Sequence, residues 1–206
     1  MGCASSTPER PEASPRPGSA DAADIEALFW ARADSARMRF TDADVHFVSG
    51  MIGHHAQALV MARMAPTHAA GPELLTLAGR IINAQNDEIA LMQRWLDDRG
   101  QVVPEVEISG IDMMVHGAQH AMSMPGMLTR AQLAELDAAD GAEFERLFLT
   151  YMIQHHEGAV TMVLDLFATD GAGQDEAVFK LASDIQVDQI TEVARMKQML
   201  QQRNPR

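Results

Sequence analysis

Apolar residues recur three and four positions apart along most of this chain, and they do so in four long stretches. Leu74, Leu77, Ile81, Ile89, Met92 and Leu96 trace one such stripe, and Val178, Leu181, Ile185, Ile190, Val193, Met196 and Leu200 trace another. This spacing gathers the apolar side chains on one face of an α-helix. Boundary signals bracket the stretches. Thr41 with Asp44 three residues on reads as a capping box, and Pro66 ends the helix that it opens. Gly71-Pro72 opens the next helix, since proline is tolerated at a first helical position, and Gly100 closes it. Asp140 with Glu143 repeats the capping signal, and Gly171 and Gly173 precede the last stripe. The predicted long helices are residues 42–65, 72–99, 141–167 and 174–202, with a further short helix near Asp24 to Met38. Strand signals are nearly absent: only Val102 to Ile108 alternates, and Pro104 interrupts it.

The same chain repeats itself. Met51-Ile52-Gly53-His54-His55-Ala56-Gln57-Ala58 returns as Met152-Ile153-Gln154-His155-His156-Glu157-Gly158-Ala159, an offset of 101 residues. That offset also places Phe47 on Phe148, Gln85 on Gln186, Asp87 on Asp188 and Ile89 on Ile190. One offset over two separated segments predicts a duplicated helical hairpin, residues 42–99 and 141–202. Two hairpins joined by a long connection, residues 101–139, predict an all-α, ferritin-like four-helix bundle with one crossover. So long a connection is expected to carry function or structure of its own. It holds Met113, His116, His120 and further methionines, and a small capping signal at Thr129 and Gln132.

Composition sharpens this picture in two ways. A hydrophobic fraction of 47% with 22% charged residues is that of a globular chain, and a net charge of −13 argues against a nucleic-acid partner. Methionine, at 15, outnumbers phenylalanine at 7, and six of the 8 histidines fall in three tight groups. Cys3 is the sole cysteine, so no internal disulfide forms. Residues 1–23 form a Pro/Ser-rich tail expected to be disordered, ahead of a single domain over residues 24–206. Gly2-Cys3-Ala4-Ser5 resembles the end of a bacterial lipoprotein signal, making Cys3 a candidate lipid anchor to a membrane. Gly2 with Ser6 also fits an N-myristoylation pattern.

Helical geometry turns neighbouring histidines about 100° apart. His55 and His156 fall in the core stripe and are expected to face each other across the bundle, with His54 and His155 to one side and more exposed. Met51 and Met152 stand within a turn of these pairs. Met61 and Met162 close the repeated segment as outlying candidate ligands. In the connection, Met113, His116 and His120 are predicted to form an auxiliary site on one helical turn. Imidazole with neutral thioether and no thiolate favours copper, Cu(I) above Cu(II). Binding by neutral imidazole should weaken below about pH 6. A di-iron centre on such a fold uses Glu-x-x-His, which is absent. The single nearby candidate general base is Glu157.

The doubled Met-Ile-x-His-His motif, with Met124-Pro125-Gly126-Met127-Leu128 between its copies, resembles the domain-of-unknown-function 305 family over about Asp42 to Gln201. The resemblance implies a ferritin-like fold, a secreted or lipid-anchored bacterial protein of the envelope or periplasm, and copper binding linked to copper tolerance. It implies metal roles for His54, His55, His155 and His156 with Met51 and Met152. Ala56-Gln57 departs from the family pattern in the first copy. The leading expectation is a non-enzymatic protein that sequesters copper or passes it to other copper-handling proteins. The alternatives are a metal-dependent oxidase using the same histidines and a helical interaction module.

Overall fold

The computed structural model describes residues 22–37, 39–117 and 124–203. The chain divides into two compact units, residues 1–36 and residues 37–206. Helix α1 (Ala22–Arg37) is the described part of the first, and it exposes Ile25, Leu28, Phe29 and Trp30. The expected disorder before Ala23 and the lipid anchor at Cys3 lie outside the described residues.

The second unit is mostly helical. It runs α2 (Asp42–Met64), one 3₁₀ turn at Ala65–Thr67, α3 (Pro72–Asp97), β1 (Glu105–Ser109), β2 (Asp112–His116), α4 (Arg130–Asp137), α5 (Gly141–Ala168) and α6 (Glu176–Arg203). Thr41 and Asp44 make both arms of the predicted capping box, as do Thr129 and Gln132 at the start of α4. Asp140 does not cap α5 with its side chain, and Glu143 pairs with Arg146 in place of closing a capping box. No described helix is long and apolar enough to cross a membrane.

α3 packs on α2, α6 packs on α5, and the two hairpins meet along α2 and α5. Two apolar clusters fill the interior. Phe47, Val48, Met51 and Ile52 share one with Ala159, Val163 and Leu166, whereas Ala58, Met61 and Ala62 share the other with Phe148, Leu149 and Met152. The start of α2 therefore meets the end of α5, so the two helices run antiparallel. Asp175 fastens the far ends. It accepts from Trp95 Nε1 at 3.0 Å, pairs with Arg99 at 2.6 Å and accepts from the Val178 amide at 3.0 Å. Burial alone would raise its pKa, but these three donors outweigh it and hold the carboxyl below its usual range.

The connection is not a helical chelate. β1 and β2 pair as an antiparallel hairpin with Ile108 opposite Met113 and Glu105 opposite His116. Alternation along β2 sends Met113 and His116 to opposite faces.

The repeat also needs a correction. The offset of 101 holds for α2 and α5, but Leu74, Ala78, Ile81, Gln85 and Met92 share their burial with Val178, Ala182, Ile185, Gln189 and Met196. Those pairs stand 104 apart, so three extra residues enter the second hairpin before α6. Ile190, aligned with Ile89 at the shorter offset, is 52% exposed.

Candidate metal centre

Residues 51–62 of α2 are buried without interruption, and Gly53, Ala56, Gly158 and Ala159 keep the α2–α5 contact thin. A helix enclosed on all sides has no outer face to which a histidine can turn. His54, His55, His155 and His156 are accordingly all buried, at 0–1% exposure. The 100° step between neighbours sends one ring of each pair toward the opposite hairpin and the other toward its own. The facing pair is His54 with His155, whose ring centroids lie 3.9 Å apart at 37°. His55 and His156, expected to face each other, point instead to the second helix of their own hairpins. There His55 Nε2 meets Glu88 Oε2 at 2.8 Å, and His156 Nε2 meets Glu192 Oε2 at 2.6 Å.

These rings form a polar layer between the two apolar clusters. Burial, and then the neighbouring His55, push His54 down to about 3, against which its bond to the Pro125 carbonyl pulls only weakly. His155 is lowered well below the ordinary value, first by burial and then by His54, His156 and His55. Both rings therefore favour the neutral form, the one that binds a cation. Nδ1 of all four rings is buried without a hydrogen-bond partner. Native interiors seldom leave so many polar atoms unpaired, and neutral imidazole nitrogens with free lone pairs fit a soft or borderline cation. Among the described residues, no three His, Cys, Asp or Glu side chains converge in a geometry that could hold an ion. Methionine sulfur would have to complete any such site.

Methionines of both repeats meet in each apolar cluster. Met51 belongs to one apolar cluster with Met162 packed against it, and Met61 and Met152 belong to the other, so each cluster draws sulfur from both repeats. Met124 comes close to Met162: a Cβ built on Gly50 would lie 3.2 Å from the Met124 sulfur and 3.6 Å from the Met162 methyl.

Met124 to Leu128 form a strap across the α2–α5 contact. His54 Nε2 donates to the Pro125 carbonyl at 2.9 Å, while Gln57 donates to the Leu128 carbonyl at 3.0 Å and accepts its amide at 2.7 Å. Gln154 donates to the Gly126 carbonyl at 3.3 Å. Gly158 makes room, since a Cβ there would stand 2.1 Å from the Pro125 oxygen. Gln57, where the first copy departs from the family pattern, is thus the strap's anchor.

Of the predicted auxiliary site, Met113 and His116 are not brought together. Met113 packs against the core, His116 is exposed beside Glu107 at 3.7 Å, and His120 lies outside the described residues. Glu157 is also on the surface, bonded to Lys197 at 2.7 Å. The carboxylates that do touch the histidines, Glu88 and Glu192, were missed in the sequence. Their signal was Gln-x-x-Glu at 85–88 and 189–192, visible only at the offset of 104. Glu88 also walls an open groove of about 290 Å³ with Leu91, Leu181, Asp184, Val187 and Asp188, so an acidic face adjoins the buried layer.

The model of DUF305, a domain of unknown function, matches residues 44–200. The fold is similar to a crystal structure of a DUF305 fragment from Deinococcus radiodurans, 31% identical, with TM-score 0.65, covering 79% of this chain and 98% of that one. A DUF305 protein of Streptomyces coelicolor, assigned as secreted, is 28% identical with TM-score 0.63, covering 78% and 92%. CopM in its Cu(I)-bound form is 31% identical with TM-score 0.58, covering 77% and 96%, and it is also solved with Cu(II) and with silver. Among curated proteins no sequence match was found.

Proposed function

The chain belongs to the DUF305 family, and on that premise we propose that it is a copper-binding protein of the bacterial envelope that sequesters the ion or passes it on. The observation that carries this reading is the buried layer of four imidazoles, each with an unpartnered Nδ1. His54, His55, His155 and His156 would supply neutral nitrogen, and Met51, Met61, Met152 and Met162 would supply thioether sulfur. Such a donor set stabilises Cu(I) without a thiolate that would oxidise outside the cytoplasm. CopM, which resembles this chain along nearly its whole length, is solved with Cu(I), Cu(II) and silver, which supports the same ion class here. The two hairpins fit a ferritin-like bundle, used here for holding an ion and not for catalysis. The Streptomyces coelicolor relative, assigned as secreted, supports a place outside the cytoplasm, where Cys3 would be the tether.

Metal analysis of protein purified without chelator should find copper. In a Cu(I) competition titration, the double variant His54→Ala, His155→Ala should lose most high-affinity binding while circular dichroism stays helical. Full affinity in a helical double variant would overturn the reading. Oxygen uptake by the copper-loaded protein should stay at the level of the free ion's background.

A further inference from the structure

The carboxylates beside His55 and His156 occupy the same place in both halves of the molecule. Glu88 on α3 and Glu192 on α6 stand 104 residues apart, and each meets the Nε2 atom of its own hairpin's inner histidine, at 2.8 and 2.6 Å. Both glutamates are mostly withdrawn from water, their side chains 12% and 21% exposed, and the imidazoles are 1% and 0% exposed. An ionised carboxylate is an acceptor only, so the hydrogen in each contact sits on Nε2. The second nitrogen of each ring, Nδ1, is buried and meets no partner. A proton there would be an unpaired buried donor, the costlier of the two tautomers.

From this twofold contact we propose that Glu88 and Glu192 are positioning residues, each locking its histidine as the Nε2–H tautomer and presenting Nδ1 inward as the ligand atom. A carboxylate behind a ligating imidazole fixes its orientation and raises its basicity, and removing one typically weakens metal affinity about ten- to a hundredfold. The assignment rests on the copper-binding reading for its purpose, but the tautomer it specifies belongs to the metal-free protein. It also separates these carboxylates from Glu157, which follows His156 in sequence yet reaches Lys197 on the surface.

The decisive measurement is a two-bond nitrogen–proton correlation spectrum of the metal-free full chain with labelled histidine. His55 and His156 should both appear as Nε2–H tautomers with Nδ1 unprotonated. Glu88→Gln should release His55 alone, and Glu192→Gln should release His156 alone. In Cu(I) competition, each variant should bind about tenfold more weakly or worse, while Glu157→Gln binds as the parent does. Nδ1–H tautomers in the parent protein would overturn the proposal whether or not either variant folds. The expected tautomers with unchanged copper affinity in folded Glu88→Gln and Glu192→Gln would overturn the positioning role. A parent protein with these tautomers that takes up no copper would instead sink the functional reading on which that role depends.

Discussion

In the first hairpin His54 donates to the strap at Pro125, and Gln57 grips Leu128 by both its amide and its carbonyl. At the matching positions of the second hairpin, His155 lacks a hydrogen-bond partner at either ring nitrogen, and Gly158 leaves a gap that the Pro125 carbonyl fills. The strap is held mainly by α2, while α5 gives it room at Gly158 and one longer bond, from Gln154 to the Gly126 carbonyl. The duplicated motif has therefore kept its histidines and diverged one and two residues past them. What remains symmetric is the buried layer and its Glu88 and Glu192 partners; what has become asymmetric is the closure over it.

Acid should act on the shared part, and its effect should be the largest. His54 is held near 3 in the fold against 6.5 when unfolded, and His155 is shifted in the same direction. Between those values the unfolded chain binds more protons, so the stabilisation is complete above pH 6.5 and drains as pH falls toward 3. His54 contributes a slope of about 1.4 kcal/mol per pH unit across that window, and His155 acts in the same direction. Urea midpoints of the metal-free protein should drop clearly from pH 7 to pH 5. Equal midpoints would mean that the folded layer accepts protons and that the two hairpins do not share a sealed interior.

Gly158→Ala tests the yielding side. Its Cβ would meet backbone, not a mobile side-chain end, so the strap must lift, at a cost of about 3 kcal/mol. Denaturant titration should show this, whereas Gly79→Ala, with nothing within 4 Å, should gain about 1 kcal/mol from helix propensity. Gln57→Ala tests the gripping side. It strands a buried amide and carbonyl at Leu128 and should cost about 2–4 kcal/mol. A negligible change in either variant would show that the strap does not depend on the divergence between the repeats.

The smallest expected effect separates the two registers. With the offset of 104, buried Val193 takes the place of half-buried Ile89, and Ile190 faces solvent. Val193→Ala should cost about 1–2 kcal/mol, and Ile190→Ala less than about 0.5. The reverse order would restore the offset of 101 to α6.

Local chemistry was legible along the chain because it acts over a few residues. Thr41 and Asp44, Thr129 and Gln132, and Gly71-Pro72 start helices where capping rules place them, and the apolar stripes set the bounds of all four long helices to within a few residues. The tandem histidines were legible too, because a repeated pair of titratable side chains in an apolar setting stands out in any frame. Their directions were not. A helical stripe tells which face is apolar, but α2 is enclosed on every face, and only its packing between α3 and α5 decides that His54 turns to His155 and His55 to Glu88. Glu88 and Glu192 escaped notice because three residues inserted ahead of α6 shift the register there alone. Met113 and His116 read as neighbours on a helix and parted because pairing with β1 imposed a period of two. Each of these outcomes depends on contacts between segments distant in sequence, which side-chain pattern constrains but only close packing selects.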